Sequence, residues 1–566
     1  MLLALTTLLL AGLFARVALI QAVSPDRLVA LGHEQRIREV PLPASRGAIV
    51  DRNGQPLALS VSRSTVTADP RLVEDPAAAA ARLAPVLGTD QAALVEQLSG
   101  DASFVYLARQ VPDMTAGAVE QLGIEGVELV DEQARVNPAG ELARAVLGRV
   151  DIDHLGLSGV EAIFEDVLAG EAGAARLERD PEGRTIAAGV QSVDPATQGQ
   201  DLELSLDLDL QFEVERRLAQ QVDAMGAQGG TAIVSNPSTG ELLAVANVAR
   251  AEDGSVAPGT ENRAVTAVFE PGSVNKVITL AAALEEGVVT PDTLFEVPDS
   301  LQVSDHLFTD HDPHPPATWS VHDILVQSSN IGTIQVAQQL GADRLDEYLR
   351  RFGFGETTAL GFPNEVGGLM LDRDDWSGTS MGSIPIGQGI SVTALQMLQA
   401  FNVVANGGVY VPPTLAAATV DADGERTPVP PAETRRVVSE TTARQLTNMM
   451  VGVVDSGTGT EAAIAGYRVA GKTGTARKPQ PAGGYEDAAG NYHYVSTFAG
   501  FVPADDPQLS AIVVIDEPSV TIYGGSVAAP VFADVARAAL VRYRIPPTPT
   551  GTAAPAPTPV TQTAQP

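Results

Sequence analysis

Ser273 and Lys276 stand three residues apart in Glu270-Pro271-Gly272-Ser273-Val274-Asn275-Lys276, ahead of an apolar run at 277–284 and of Gly287. Pro271-Gly272 breaks whatever precedes it and Gly287 supplies a stop, so the pattern predicts a helix that begins at Ser273. Residues three apart then share one face, one turn from each other. A serine hydroxyl becomes a nucleophile when a base takes its proton, and a lysine is that base when burial or a neighbouring cation keeps it neutral. A serine at a helix start is also an ordinary N-cap, and Ser-x-x-Lys is short enough to arise by chance. Two further groups decide between these readings.

Ser328-Ser329-Asn330 separates a predicted helix at 321–327 from a second at 331–340, which Gly341 ends. Such a cluster normally caps a helix. Here it also offers one hydroxyl, Ser328, and one amide, Asn330, the groups that relay a proton and hold a substrate amide. Lys472-Thr473-Gly474-Thr475 follows Arg468-Val469-Ala470-Gly471. Its small residues let another backbone approach closely, as an edge strand that pairs with an extended peptide requires. His306, Asp310, His311, Asp312 and His314 lie between 301 and 320. Their spacing fits no helical His pair, and Pro313, Pro315 and Pro316 mark a solvated loop beside the site, so neither a metal nor a cofactor is expected.

The elements that must position these groups are legible as pattern. Residues 201–206 alternate as a strand and 208–222 have helical period. Residues 231–236 and 241–246 flank the turn Pro237-Ser238-Thr239-Gly240, and 494–503 and 509–515 flank Ala504-Asp505-Asp506-Pro507. With a helix at 526–543, these give a mainly antiparallel sheet flanked by helices, an α+β domain over 199–545. Residues 24–198 mix Ala-rich helix, as at 75–87, with short strands and turns, and read as a non-catalytic N-terminal α+β pedestal. Residues 546–566, rich in Pro, Thr and Ala, read as a disordered tail.

The chain has 566 residues, enough for two or three domains, and 44% of them are hydrophobic. Lys and Arg number 36 against 70 Asp and Glu, a net charge of −34, which argues against nucleic acid as a partner. An anionic ligand must therefore meet local charge. Cysteine is absent, so disulfides and thiolate metal sites are excluded. Residues 1–23 carry Arg16 as their sole charge. Roughly 22 helical residues span about 33 Å, so this segment is expected to be a transmembrane anchor rather than a cleaved signal. Arg27, Arg36 and Arg38 follow it while no Lys or Arg precedes it. An extracytoplasmic body then calls for a short basic tail upstream of Met1.

Arg46, Gly47, Ile49, Asp51, Arg52, Asn53 and Gly54 resemble the Arg-Gly-x-Ile-x-Asp-Arg-Asn-Gly box of class B penicillin-binding proteins, which sits where a bifunctional relative carries a glycosyltransferase domain. Gly156 to Glu161, Asp180 to Arg184, Asn262 to Val265 and Phe269 to Gly272 resemble further segments of that family. Ser273-x-x-Lys276, Ser328-x-Asn330, Gly387-Gln388-Gly389 and Lys472-Thr473-Gly474 match its motifs in order. The resemblance runs from Arg46 to Pro547. Val136-Asn137-Pro138 departs from it, lacking the aromatic residue that many relatives have before the proline.

The resemblance implies a penicillin-binding/β-lactamase-like transpeptidase domain on a dimerisation-type pedestal. It also implies a peptidoglycan D,D-transpeptidase that cross-links stem peptides ending in D-Ala-D-Ala and is acylated by β-lactams. Ser273 would form the acyl-enzyme, Lys276, held neutral partly by Lys472, would be the base, and Ser328 would relay the proton. Asn330 would hold the substrate amide and Lys276, while Lys472, Thr473, Gly474 and Thr475 would bind the terminal carboxylate end. The backbone N–H groups of Ser273 and Thr475 would form the oxyanion hole. Phe498 to Pro503 and Arg544 to Pro547 resemble division enzymes more than elongation enzymes, implying a role in septal synthesis, a polytopic glycosyltransferase and other division proteins as partners, and a single-pass plasma-membrane location. The alternatives are an elongation-type enzyme, a serine β-lactamase, and a penicillin-binding sensor or division scaffold with little catalytic role.

Overall fold

The computed structural model describes residues 1–23, 37–178, 186, 191–481 and 483–547. The Asp180 to Arg184 segment, Arg27, Arg36 and all but the first two residues of the Pro-rich tail lie outside the described residues.

The apolar N-terminal run forms helix α1 (Leu2–Val23). Several of its side chains are outside the described set, and among the described residues no helix is long and apolar enough to cross a membrane. The Arg-Gly box makes the expected hairpin of β1 (Ile49–Val50) and β2 (Pro56–Ala68). Asp51 organises the turn: its Oδ1 accepts from the backbone N–H groups of Asn53 and Gln55, both at 2.8 Å. β2 also pairs antiparallel with β3 (Val105–Val111) and β4 (Val127–Val136). Arg46 is 3% exposed and donates to Glu161 on α2 (Gly159–Ile163) at 2.7 Å. Arg135 on β4 donates to the other Glu161 oxygen at 2.7 Å. A buried carboxylate thus fastens three segments of the pedestal.

β5 (Asp201–Leu204) follows the expected boundary at residue 199. It lies parallel to β1 and antiparallel to β13 (Ala416–Val420), so one sheet runs through both halves. Asp51 joins them again, its Oδ2 accepting from Leu208 N at 3.0 Å at the start of α3 (Leu208–Ala224).

The C-terminal half is built on a second, six-stranded sheet. Its members are β6 (Gly229–Ser235), β7 (Leu242–Arg250), β8 (Val256–Pro258), β15 (Ala470–Arg477), β16 (Tyr494–Val502) and β17 (Leu509–Asp516). They are all antiparallel, in the order β8-β7-β6-β17-β16-β15. Every residue of β6 and β17 is buried, which follows from helices on both faces. Leu210, Val214 and Leu218 of α3 and Phe532 of α9 (Ala529–Arg542) cover one face. The opposite face meets α4 (Lys276–Glu285) and α7 (Ala394–Ala405), whose Ile278, Leu398 and Phe401 join Ile233 and Ile512. β15 is the edge strand, as its composition predicts.

Residues 301–320 are more ordered than a solvated loop. β10 (Ser300–Val303) and β11 (His306–Thr309) form a hairpin, and β12 (Ala317–Ser320) pairs with β9 (Leu294–Val297). His306 opens β11, while His311, His314 and the three prolines occupy the connection from Thr309 to Ala317. Among the described residues no His, Asp and Glu group is placed to hold a metal ion.

Candidate active site

The turn before α4 carries Ser273. Gly272–Asn275 is a 3-10 helix, and Lys276 N donates to Ser273 O. In a 3-10 turn residues i and i+3 eclipse, so Ser273 and Lys276 project from the same side. No side-chain cap bond is made at this turn, which corrects the N-cap reading: Ser273 lies inside the turn with its hydroxyl uncommitted to the backbone. Ser273 is half-buried while Val274, Asn275 and Lys276 are buried, so the serine alone faces the cleft.

Glycine makes this placement possible. Gly272 has φ +58°, and a Cβ there would stand 3.2 Å from Ala476 Cβ on β15. Gly387 has φ +79°, and a Cβ on it would stand 2.2 Å from Gly272 O, so only glycine fits. Gly272 N donates to Gly387 O at 2.9 Å. The Gly-Gln-Gly turn is therefore the floor on which the serine turn rests.

Lys276 Nζ is fully buried and donates to Ser328 O at 2.5 Å and to Asn330 Oδ1 at 2.7 Å. A neutral amine has two hydrogens, and these acceptors use both, leaving the lone pair free to take a proton. Burial pushes Lys276 down to about 7, against the opposing pull of the Asp310 carboxylate. Burial, not Lys472, is thus what keeps Lys276 near neutrality. The repulsion acts the other way: Lys472, also fully buried, is driven well below the ordinary lysine range by burial and then by Lys276.

Ser328 links the two amines. Its Oγ accepts from Lys472 Nζ at 2.9 Å and lies 3.4 Å from Lys276 Nζ. Ser328 follows α5 (Val321–Val326) and has φ +59°, unusual for a residue with a side chain. Asn330 opens α6 (Asn330–Leu340), whose cap is Ser329, with its hydroxyl accepting from Gly332 N at 2.9 Å. Lys472, Thr473, Gly474 and Thr475 lie together on β15, Thr473 sharing a 2.6 Å hydrogen bond with Thr458 and Thr475 accepting from Gly524 N at 3.1 Å. The structure thus brings the three sequence-predicted groups to one cleft between a helical wall and an edge strand.

Asp310 was missed as a site residue, being read as part of a loop. Its Oδ2 accepts from Ser329 Oγ at 2.7 Å and lies 2.9 Å from His314 Nε2. Its Oδ1 accepts from Ile331 N at 3.0 Å and from Asn330 N. A carboxylate at a helix N-terminus holds the Ser328-x-Asn330 segment under Lys276. Glu270 was missed too; it accepts from Gly389 N at 2.9 Å and lies 3.0 Å from Tyr485 Oη. A local signal existed for each, an aspartate among polar turn residues and a glutamate immediately before Pro271, but the partners are distant in sequence.

Comparison with known proteins agrees with this arrangement. Residues 41–204 match the penicillin-binding protein dimerisation domain and 230–537 the penicillin binding protein transpeptidase domain. The chain is 35% identical to penicillin-binding protein PbpB of Mycolicibacterium smegmatis, over 90% of this chain and 84% of that one. It is 34% identical to peptidoglycan D,D-transpeptidase FtsI of Escherichia coli K12, over 95% and 91%. Among solved structures, a peptidoglycan synthetase from Bifidobacterium adolescentis superposes with a TM-score of 0.74 at 28% identity, covering 91% of this chain and 98% of that one. Penicillin binding protein 3 from Mycobacterium tuberculosis, complexed with aztreonam, gives 0.69 at 31% identity, covering 90% and 98%. With both domains in this order and relatives matched along nearly their whole length, the chain belongs to the class B penicillin-binding proteins.

Proposed function

We propose that the protein is a peptidoglycan D,D-transpeptidase in which Ser273 is the acylated nucleophile. Ser273 Oγ attacks the penultimate D-alanine carbonyl of one stem peptide while Lys276 takes its proton. The N–H groups of Ser273 and Thr475 receive the oxyanion. The C–N bond to the terminal D-alanine breaks, and the proton passes through Ser328 to the departing amine. An amine of a second stem peptide then attacks the ester, returning the serine proton and completing the cross-link. Lys472, Thr473, Gly474 and Thr475 hold the terminal carboxylate, and Asn330 positions Lys276 and the substrate amide. The observation that carries this reading is the contact of Ser328 Oγ with both buried amines, 2.9 Å to Lys472 and 3.4 Å to Lys276. A relay needs a hydroxyl between base and leaving group, and a substrate carboxylate bound beside Lys472 would favour the protonated amine that burial and Lys276 otherwise disfavour.

Relatives named peptidoglycan D,D-transpeptidases and a related structure holding a β-lactam support the substrate class and penicillin as an inhibitor. A septal role fits the name FtsI of one relative, and a polytopic glycosyltransferase and other division proteins are the proposed partners. The apolar composition of residues 1–23 favours a single-pass anchor, with a pedestal over 24–198 and a transpeptidase domain over 199–545 outside the membrane.

The test is labelling by a fluorescent penicillin. Ser273→Ala should abolish covalent labelling while leaving the thermal unfolding midpoint unchanged within about 2 °C. Retained labelling overturns the assignment.

A further inference from the structure

The connection from β15 to β16, residues 478–493, starts where the Lys472–Thr475 strand ends. Its base is fastened by ions: Lys478 pairs with Asp516 and Glu517, each at 2.7 Å, and His493 lies 3.0 Å from Glu517. Its far end reaches back across the molecule. Tyr485 Oη lies 3.0 Å from both carboxylate oxygens of Glu270, three residues ahead of Ser273. Glu270 is 6% exposed and also accepts from Gly389 N at 2.9 Å, in the turn whose Gly387 holds Gly272. One buried carboxylate therefore gathers the serine turn, the Gly-Gln-Gly floor and the extension of the edge strand.

A cavity of about 250 Å³ lies against the same segment, lined by Val268, Phe269, Glu270, Lys478 and Val495 among others. Glu270 is therefore held from this side by its hydrogen bonds to Gly389 and Tyr485. Any slack is felt where it matters, because the two proposed oxyanion donors sit one on each side of the seam, Ser273 on the turn and Thr475 on β15.

We propose that Glu270 and Tyr485 are a positioning pair, whose hydroxyl-to-carboxylate hydrogen bond locks the serine turn against the edge strand and sets the oxyanion-hole spacing. The pair touches no reacting atom. It acts through the turn and the strand, and the proposal rests on the reading of Ser273 as nucleophile. Loss of the bond should therefore slow the chemical step and leave the preceding non-covalent binding of penicillin intact.

The experiment is single-turnover acylation by a fluorescent penicillin, resolving the saturating rate from the pre-covalent dissociation constant. Tyr485→Phe removes one hydroxyl and should lower the saturating rate about tenfold, with the dissociation constant held within about twofold. Glu270→Gln keeps an acceptor for both Gly389 and Tyr485 and should stay within about threefold of the parent rate, whereas Glu270→Ala should fall at least as far as Tyr485→Phe. The double variant Glu270→Ala/Tyr485→Phe should be no slower than Glu270→Ala alone, as expected for a single shared bond. Unchanged acylation in Tyr485→Phe, or a loss confined to the dissociation constant, overturns the pair. Labelling of Ser273→Ala overturns instead the nucleophile reading on which it stands. Tyr485→Phe lies on the surface connection and deletes one oxygen, so its result stands even where Glu270→Ala fails to fold.

Discussion

At the scale of single residues, the decisive property is the burial of two lysines that form no ion pair among the described residues. An ammonium removed from water loses hydration that nothing at Lys276 fully replaces, and the group responds by releasing its proton more readily. With Lys276 near 7, acylation should rise about tenfold per pH unit below that value and level off above it, as expected for a base needed in its neutral form. Acylation rates measured from pH 5.5 to 9 test this, and a flat profile would refute Lys276 as the base. The same shift has a stability sign. The folded state binds this proton less tightly than the unfolded chain does between about 7 and the model-peptide lysine value of about 10.4. Stability contributed by this group therefore increases with pH across that window, and below 7 the fold carries the full cost of burying the charge. The Ser273 and Lys276 spacing was legible in sequence. The cause of the lysine's shift was not, because it is burial set by several distant elements rather than the repulsion by Lys472 that the motifs suggest.

At the scale of elements, the start of α6 does chemical as well as structural work. Asp310 satisfies the N–H groups of Asn330 and Ile331 and takes the Ser329 hydroxyl, so it fixes where Asn330 meets Lys276. Asp310 also pulls Lys276 upward in pKa. Asp310→Asn should therefore move the midpoint of the acylation pH profile below that of the parent, since the negative charge favouring the ammonium is gone. It should also cost about 0.5–2 kcal/mol of stability from the weakened cap. Calorimetry and the pH profile read the two effects separately, and an unmoved or raised midpoint would exclude the electrostatic role. Sequence pattern identified α5, α6 and β15 and put Lys472 on an edge. It failed on residues 301–320, where strands of four residues are too short to show the alternation that marks a longer strand and the Pro-rich connection at 310–316 masks them.

At the scale of the whole molecule, pedestal and catalytic half share a sheet, so neither is a detachable module in the simple sense. β5 continues the pedestal strands, β13 and β14 (Arg426–Pro428) extend them from late in the chain, and Asp207 accepts from Arg542 near the other end. The buried junction of Arg46, Arg135 and Glu161 makes the pedestal's stability sensitive to one residue. Glu161→Ala would leave the buried Arg135 guanidinium without its carboxylate and Arg46 with Glu165 alone, a change that costs about 3–5 kcal/mol. The unfolding midpoint should fall accordingly, while the acylation rate per folded molecule, counted by active-site titration, stays at the parent value. A parallel loss of acylation rate would mean that this junction also shapes the cleft.

The sequence by itself determined which residues could act and on what kind of surface. A nucleophile and an amine three apart, a hydroxyl and amide between two helices, and small residues on a strand are all local patterns, fixed by chain neighbours and helix or strand period. Tertiary structure alone decided how those groups are tuned and aligned. The burial that neutralises Lys276, the Ser328 hydroxyl caught between two amines, Asp310 beneath the helix start and the reach of Tyr485 to Glu270 all join segments far apart in the chain. Such contacts depend on how the sheet and its flanking helices close around one another. For that reason, the same Ser273 that reads in sequence as a helix cap stands in the fold as the half-buried residue of an otherwise buried turn.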